Sequence, residues 1–377
     1  MRILFRNCLS VTLISLAFIS CQQEQEGSSD NTITLSEYTT VVSNEDILIG
    51  VPSIIRIVDS ESFLIYDTST RLVYELDLNK KDVRPIGREG RGPGEYQRVQ
   101  NFYVENDGVY VVDNAQQLIH KYSLDNEFIS SFSYRLGQAT GAPPPPPLPP
   151  LDLPYIHTGL LGNFNNQPHI TSEGNVLLYN FQPGQSLYKL YDWDGNMLDS
   201  LGVVSHDSAP VIDYQQFRTE IENRQVPTFL ESNTFVVNDR SKPDEYFLIY
   251  NAIPRIAKFN SSGEQLWEVH VSEIAEIDRI AEDYFETMEE ILKITETMFP
   301  LKKYTSGVSV ENGDLFLATY TYPGVPLWIH HFSNDGTLQN RYKIESKVEL
   351  NPVFNVDYSS RSILISTEEG DVRGYSF

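Results

Sequence analysis

Apolar and polar positions alternate in short runs along most of the chain, and glycine, asparagine and aspartate separate the runs. The stretch 99–132 shows the pattern most plainly. It reads as strands over 99–104, 109–113, 118–123 and 128–132, with turns at Asn106-Asp107-Gly108 and Asp125-Asn126. Four such strands in succession predict an antiparallel meander. Variants of the unit recur along the chain, each marked by an anchor residue ahead of a tight turn. Tyr122, Tyr191, Phe259 and Phe332 are clear anchors, Leu76 is a weaker one, and Tyr375 begins a sixth copy. Gly, Asn and Asp in the turns supply the positive φ that tight hairpins need. An apolar strand precedes each anchor, at 63–66, 109–112, 176–179, 246–250, 315–319 and 363–366.

Six repeated four-stranded units predict an all-β fold, a six-bladed β-propeller, over 33–377. The competing architecture is an irregular β-sandwich with look-alike turns. The sixth unit runs out of chain before its last strand. A ring must close, so a strand within 33–42 is expected to pair with the C-terminal strands around 372–377. Apolar residues at helical spacing predict a helical insertion near 272–299 and a short helix within 211–224. Pro243 and Pro254 are expected in turns of the fourth unit. Eight prolines between 143 and 154 favour polyproline II, a stiff surface spacer or a partner-recognition segment.

The N-terminus has a different character. Arg2 and Arg6 precede an apolar run from Cys8 to Ile19 that is too short to span a bilayer. Residues 1–20 therefore read as a lipoprotein signal peptide. Ser20-Cys21 resembles a bacterial lipobox, with Phe18 where Leu is usual, and marks Cys21 for lipidation. Residues 21–32 then hold the lipidated cysteine and a flexible polar tether. Glu24 and Glu26 resemble the acidic signal that sends lipoproteins to the cell surface. The chain has two cysteines, Cys8 and Cys21. The mature domain is therefore left without a thiol for disulfide, metal or nucleophilic chemistry.

The most distinctive loop is Ile86-Gly-Arg-Glu-Gly-Arg-Gly-Pro-Gly-Glu-Tyr96. Its glycines allow backbone amides to approach an anion, and its arginines add charge. Arg88, Arg91 and Tyr96 are the candidate ligand-binding residues. The alternative is a tight connection whose arginines pair with neighbouring acids. No Gly-Lys-Ser/Thr follows, so the loop is not a nucleotide-enzyme phosphate loop. This loop and the 99–132 meander together resemble the TolB-like or NHL-like six-bladed β-propeller lipoproteins of Bacteroidetes. That resemblance implies a propeller fold and an outer-membrane or cell-surface address. Most members have no assigned function, and it supplies no catalytic set.

Net charge is −24, which argues against nucleic-acid partners. Seven histidines are scattered, and the adjacent pair His330-His331 points to opposite faces of a strand. No metal motif is present and no cofactor is predicted. A calcium ion held by acidic inner-strand residues stays open. Two functional readings remain. One is an envelope lipoprotein that binds a ligand, a glycan or a protein partner. The other is a lyase or hydrolase acting on glycans or esters in the central channel.

Overall fold

A computed structural model describes residues 31–43, 50–134 (apart from 51, 60, 81 and 106), 168–179, 186–202, 214–227, 234–294 (apart from 240 and 251), 304–319, 325–345 and 354–377 (apart from 368). Residues 1–20, expected to form a signal peptide, Cys21 and the proline-rich stretch 143–154 lie outside the described residues. Two N-terminal strands, β1 (Thr32–Leu35) and β2 (Thr39–Val42), precede the first blade. Blade 1 is β3 (Pro52–Ile57), β4 (Ser62–Asp67), β5 (Leu72–Asp77) and β6 (Asp82–Ile86). Its connection to the next blade contains two short parallel strands, β7 (Arg88–Glu89) and β8 (Glu95–Tyr96). Blade 2 is β9 (Val99–Glu105), β10 (Gly108–Asp113), β11 (Leu118–Tyr122) and β12 (Phe128–Ser133). Blade 3 is β13 (His169–Ile170), β14 (Val176–Tyr179), β15 (Tyr188–Tyr191) and β16 (Met197–Leu201). Helix α1 (Tyr214–Glu222) leads to blade 4, which is β17 (Thr234–Asp239), β18 (Lys242–Tyr250), β19 (Arg255–Asn260) and β20 (Gln265–His270). Helix α2 (Ala275–Ile294) leads to blade 5, which is β21 (Thr305–Glu311), β22 (Asp314–Thr319), β23 (Leu327–Phe332) and β24 (Leu338–Ile344). Blade 6 has β25 (Phe354–Asp357), β26 (Ser362–Ser366) and β27 (Val372–Ser376).

Each blade is an antiparallel meander, and first strands of neighbouring blades meet around the axis, β25 with β3 and β3 with β9 among them. Strand direction alternates within a blade. Fourth strands therefore end, and the next first strands begin, at one end of the ring. Both helices and the 87–98 loop belong to that end. The short hairpins between first and second strands form the other end.

The anchors keep their register. Leu76, Tyr122, Tyr191, Phe259, Phe332 and Tyr375 pair with Phe63, Val109, Val176, Tyr246, Leu315 and Ile363 on the second strands. In blades 2 to 5 a β-bulge follows directly at the anchor. The turn beyond it places Asn126, Gly195, Gly263 and Gly336 at positive φ. Such a bulge adds local right-handed twist.

The apolar core is divided into wedges between blades. One wedge, with Leu64, Phe102 and Val111, joins blades 1 and 2. Others join blades 2 and 3, 3 and 4, 4 and 5, 5 and 6, and 6 and 1. Helix α2 divides its apolar side. Ile277 and Ile280 pack on blades 4 and 5, while Tyr284, Phe285, Met288 and Ile291 pack on Phe217 and Ile221 of α1. Glu276 and Asp278 lie in its first turn and Lys293 in its last, as the macrodipole favours.

The ring closes through the N-terminus. β2 pairs antiparallel with β27 and supplies the fourth strand of blade 6. The predicted pairing of 33–42 with 372–377 is present. The same segment does more than expected, because β1 adds a parallel fifth strand to β24 of blade 5. Pro243 departs from expectation. It lies inside β18, beside the register shift between Asn238 and Asp239, where the ladder does not need its missing N–H. Strand β6 was not foreseen. It is an outer strand, and it carries Pro85.

Leu35 is buried in the wedge between blades 5 and 6, whereas Ile33 is exposed. Leu35→Ala is expected to cost about 2–4 kcal/mol in urea unfolding. Ile33→Ala is expected to cost less than about 0.5 kcal/mol. Equal effects would mean that β1 is not a packed part of the ring.

Candidate functional site

The first strands bring a polar set together on the axis. Arg56, Tyr103, His169, Ser309 and Asn355 pair with Leu64, Tyr110, Leu177, Phe316 and Leu364. Each of those partners directly follows the residue opposite an anchor, so the five polar residues stand at one level. Blade 4 has Val237 at this level, paired with Phe247, and Asn238 beside it. The level lies near the short-hairpin end.

These side chains hold one another across the blade joints. Arg56 donates from its guanidinium to Asn101 Oδ1 at 3.1 Å. Asn101 Nδ2 donates to the Tyr103 hydroxyl at 3.0 Å, and that hydroxyl donates to the Pro168 carbonyl at 2.9 Å. The Tyr103 ring meets His169 edge-on at 5.1 Å. His169 Nε2 is 2.5 Å from Asn238 Oδ1. Ser309 donates to Asn355 Oδ1 at 2.9 Å, and Asn355 Nδ2 donates to the Ile55 carbonyl at 3.2 Å. Arg56, Asn101, Tyr103, Asn238 and Asn355 keep partial exposure, so the ring is solvent-reachable.

Burial controls its protonation. Desolvation lowers His169 to about 4, with the Asn238 bond opposing and Arg56 adding to the shift. Desolvation likewise raises the Tyr103 phenol. At neutral pH the ring thus offers a neutral imidazole, a phenol, amides, a hydroxyl and one guanidinium. His169 leans on an amide, not a carboxylate, so it is not arranged as the base of a nucleophilic dyad. Among the described residues no group of three or more His, Cys, Asp or Glu is placed to hold a metal ion.

The glycine-rich loop forms a second site, at the opposite end. Arg88 and Arg91 are exposed. Tyr96 is not exposed with them. Its ring is fully buried between blades 1 and 2. Its hydroxyl donates to the Ile86 carbonyl at 2.6 Å and accepts from the Val73 amide at 3.0 Å. Gly87 sits at φ 65° beneath it, and a Cβ there would fall 2.5 Å from the Tyr122 hydroxyl. Asp113 accepts the Gln97 amide at 2.8 Å and the Arg98 amide at 3.2 Å, fixing the loop's exit. Glu95 fills the loop's interior. It accepts Arg88 Nε at 2.7 Å and the amides of Arg91 and Gly92 at 2.9 and 2.7 Å. The Gly92 amide bond leads the interactions that lower its carboxyl from the ordinary range.

The adjacent histidines do face opposite ways. His331 stacks on Phe316 at 4.3 Å and bonds Asp314 at 2.8 Å. His330 is fully buried, and burial lowers it to about 3. The axial ring escaped the sequence reading because its members come from distant strands. A local signal exists, a polar residue, an aliphatic one and a polar one before the first turn. It occurs as Tyr103-Val104-Glu105, His169-Ile170-Thr171, Ser309-Val310-Glu311 and Asn355-Val356-Asp357.

Six meandering blades closed around an axis make this a six-bladed β-propeller. Residues 13–136 match the DUF5128 family model, described as a 6-bladed beta-propeller. The chain is similar to a candidate exported protein of Bacteroides fragilis, at 13% identity and TM-score 0.52, over 92% of this chain and 99% of that one. It is also similar to a DUF4221-family member of Bacteroides vulgatus, at 10% identity and TM-score 0.51, over 90% of this chain and 96% of that one. At such identities the likeness is one of fold. Comparison with curated proteins finds no match. No described helix is long and apolar enough to cross a membrane.

His169 and His330 both have folded pKa values below the unfolded value of about 6.5. Above that value neither state binds the proton. As pH falls below it, the unfolded chain gains protons that the folded chain refuses, and stability drops. The decline is expected to begin near pH 6.5 and continue to about 4, worth on the order of 3 kcal/mol for His169. Urea midpoints against pH measure it, and His169→Gln should flatten part of the slope. A slope unchanged by that substitution would exclude His169 as its source.

Proposed function

We propose that this protein is a binding module of the bacterial cell envelope, exported, anchored by a lipid on Cys21 at the outer membrane or cell surface, and recognising a polar ligand on the propeller axis. The single observation that carries the ligand reading is the axial ring of Arg56, Tyr103, His169, Ser309 and Asn355 at one register level. Donors and acceptors held by one another keep their directions without a ligand. Such pre-organisation lowers the ordering cost of binding. A ring whose imidazole and phenol are both neutral suits a hydroxyl-rich, uncharged group such as the end of a glycan. The hairpin end of the axis is the natural entrance, since both helices and the 87–98 loop belong to the other end.

The address rests on Arg2, Arg6, the 8–19 apolar run and Ser20-Cys21. A lipid on Cys21 and a polar tether would hold the propeller at a membrane surface without a spanning helix.

Two measurements test these statements. Calorimetric titration with envelope glycans and their monosaccharides should find one that binds. Asn101→Ala and His169→Ala should each weaken that binding about tenfold, the cost of a lost hydrogen bond. Binding that ignores both substitutions removes the axial site. Metabolic labelling with a palmitate analogue should label the wild-type chain and leave Cys21→Ser unlabelled. Equal labelling of the two would refute the anchor.

A further inference from the structure

The 87–96 loop is a built oxyanion cradle with an internal guest. Two consecutive amides, of Arg91 and Gly92, converge on Glu95 Oε2, and the Arg88 guanidinium grips Oε1 at 2.6–2.7 Å. Converging amides beside a guanidinium are the chemistry that holds sulfate, phosphate and carboxylate groups. The glycines make the room. A Cβ on Gly90 would lie 2.0 Å from Glu95 Oε2, and one on Gly92 would lie 3.1 Å from the same atom.

Bonds that do not involve the Glu95 side chain hold the base of the loop. Tyr96 is pinned to Ile86 and Val73, and the Tyr122 hydroxyl donates to the Gly94 carbonyl at 3.0 Å. Gln116 Nε2 donates to the Glu95 carbonyl at 2.9 Å. These bonds hold the loop by its backbone and by buried side chains. The Glu95 side chain is about one-fifth exposed and borders water, while Arg88 is 76% exposed.

Four arginines, Arg71, Arg88, Arg91 and Arg98, stand on or beside the loop, in a chain of net charge −24. Arg71 reaches Glu89 at 3.7 Å, so its charge stands beside the loop, and Arg91 and Arg98 are exposed on the same connection. An incoming dianion meets more positive charge here than the single carboxylate uses.

We infer that the 88–95 loop is an oxyanion-binding site at rest on its own Glu95, and that a ligand carrying a sulfate, phosphate or carboxylate group displaces Glu95 to bind Arg88 and the Arg91 and Gly92 amides. The site is separate from the axial ring and does not depend on it.

Thermal unfolding of the full chain in chloride, with added sulfate, inorganic phosphate or acetate, tests this. Glu95→Ala empties the cradle, so its Tm should rise saturably with each anion, by about 2 °C or more. Sulfate and phosphate also stabilise proteins by exclusion from the surface. The Glu95→Ala, Arg88→Ala double variant reports that general effect and should lack the saturable part. Wild type should show the same saturable rise at roughly tenfold higher anion, because Glu95 competes. Glu95→Gln, which keeps the shape without the charge, gives the same readout if Glu95→Ala does not fold. A single variant that tracks the double variant overturns the cradle. A wild type without a saturable rise overturns displacement. Response to sulfate and phosphate but not acetate would identify a tetrahedral oxyanion as the ligand class.

Discussion

Ring closure is the constraint on which the rest of the structure depends. No blade has a core of its own. Each apolar face is buried mainly by the blade beside it, so the wedge between blades 6 and 1 exists only if the last blade meets the first. Blade 6 has three strands from the C-terminal part of the chain, and an open edge there would leave ladder groups unpaired. The N-terminal segment meets that need with β2. With β1 it also reaches the neighbouring blade. Leu35 enters the wedge between blades 5 and 6, and Val42 enters the wedge between blades 6 and 1. One short ribbon thus seals both joints flanking the last blade, and it joins the two ends of the chain through pairings more than 300 residues apart in sequence.

The closed ring separates two kinds of surface. Fourth-to-first connections are free to lengthen because the blades are complete without them. Both helices and the arginine loop are such connections. The first strands have no such freedom. They converge on the axis at a fixed spacing, and a polar side chain there can be satisfied only by the neighbouring first strand or by a ligand. That geometry explains why the axial bonds run from blade to blade, as in Arg56 with Asn101, and His169 with Asn238.

What was legible in the sequence follows from the range of the forces involved. The anchors could be read because a bulged turn imposes a local demand, positive φ at Asn126, Gly195, Gly263 and Gly336. Helix α2 could be read from its apolar period. The closing strand could be read by subtraction, since the sixth unit lacked a member. The fifth strand on blade 5 could not, because the spare edge of β24 leaves no mark on residues 32–35. Strand β6 was hidden by Pro85, which an outer edge tolerates. The axial ring was hidden by distance, since His169 and Asn238 are 69 positions apart. The arginine loop was half legible. Its anion-holding chemistry is visible in its composition, but the sequence does not say that Glu95 is the anion, nor that Tyr96 turns inward.

Charge separates what the two sites can bind. A field of net −24 favours protonation of any histidine it reaches, yet burial keeps His169 and His330 neutral. Desolvation therefore outweighs the overall field in the interior, and the axial ring recognises by hydrogen-bond direction. The same field repels anions from most of the surface, and ions in solution screen it beyond about 10 Å at 0.1 M salt. Clustered arginines counter it locally, as Arg71, Arg88, Arg91 and Arg98 do around the 87–98 connection. Added salt should consequently weaken binding at the arginine loop and leave binding on the axis nearly unchanged, a contrast that follows from the placement of charge alone.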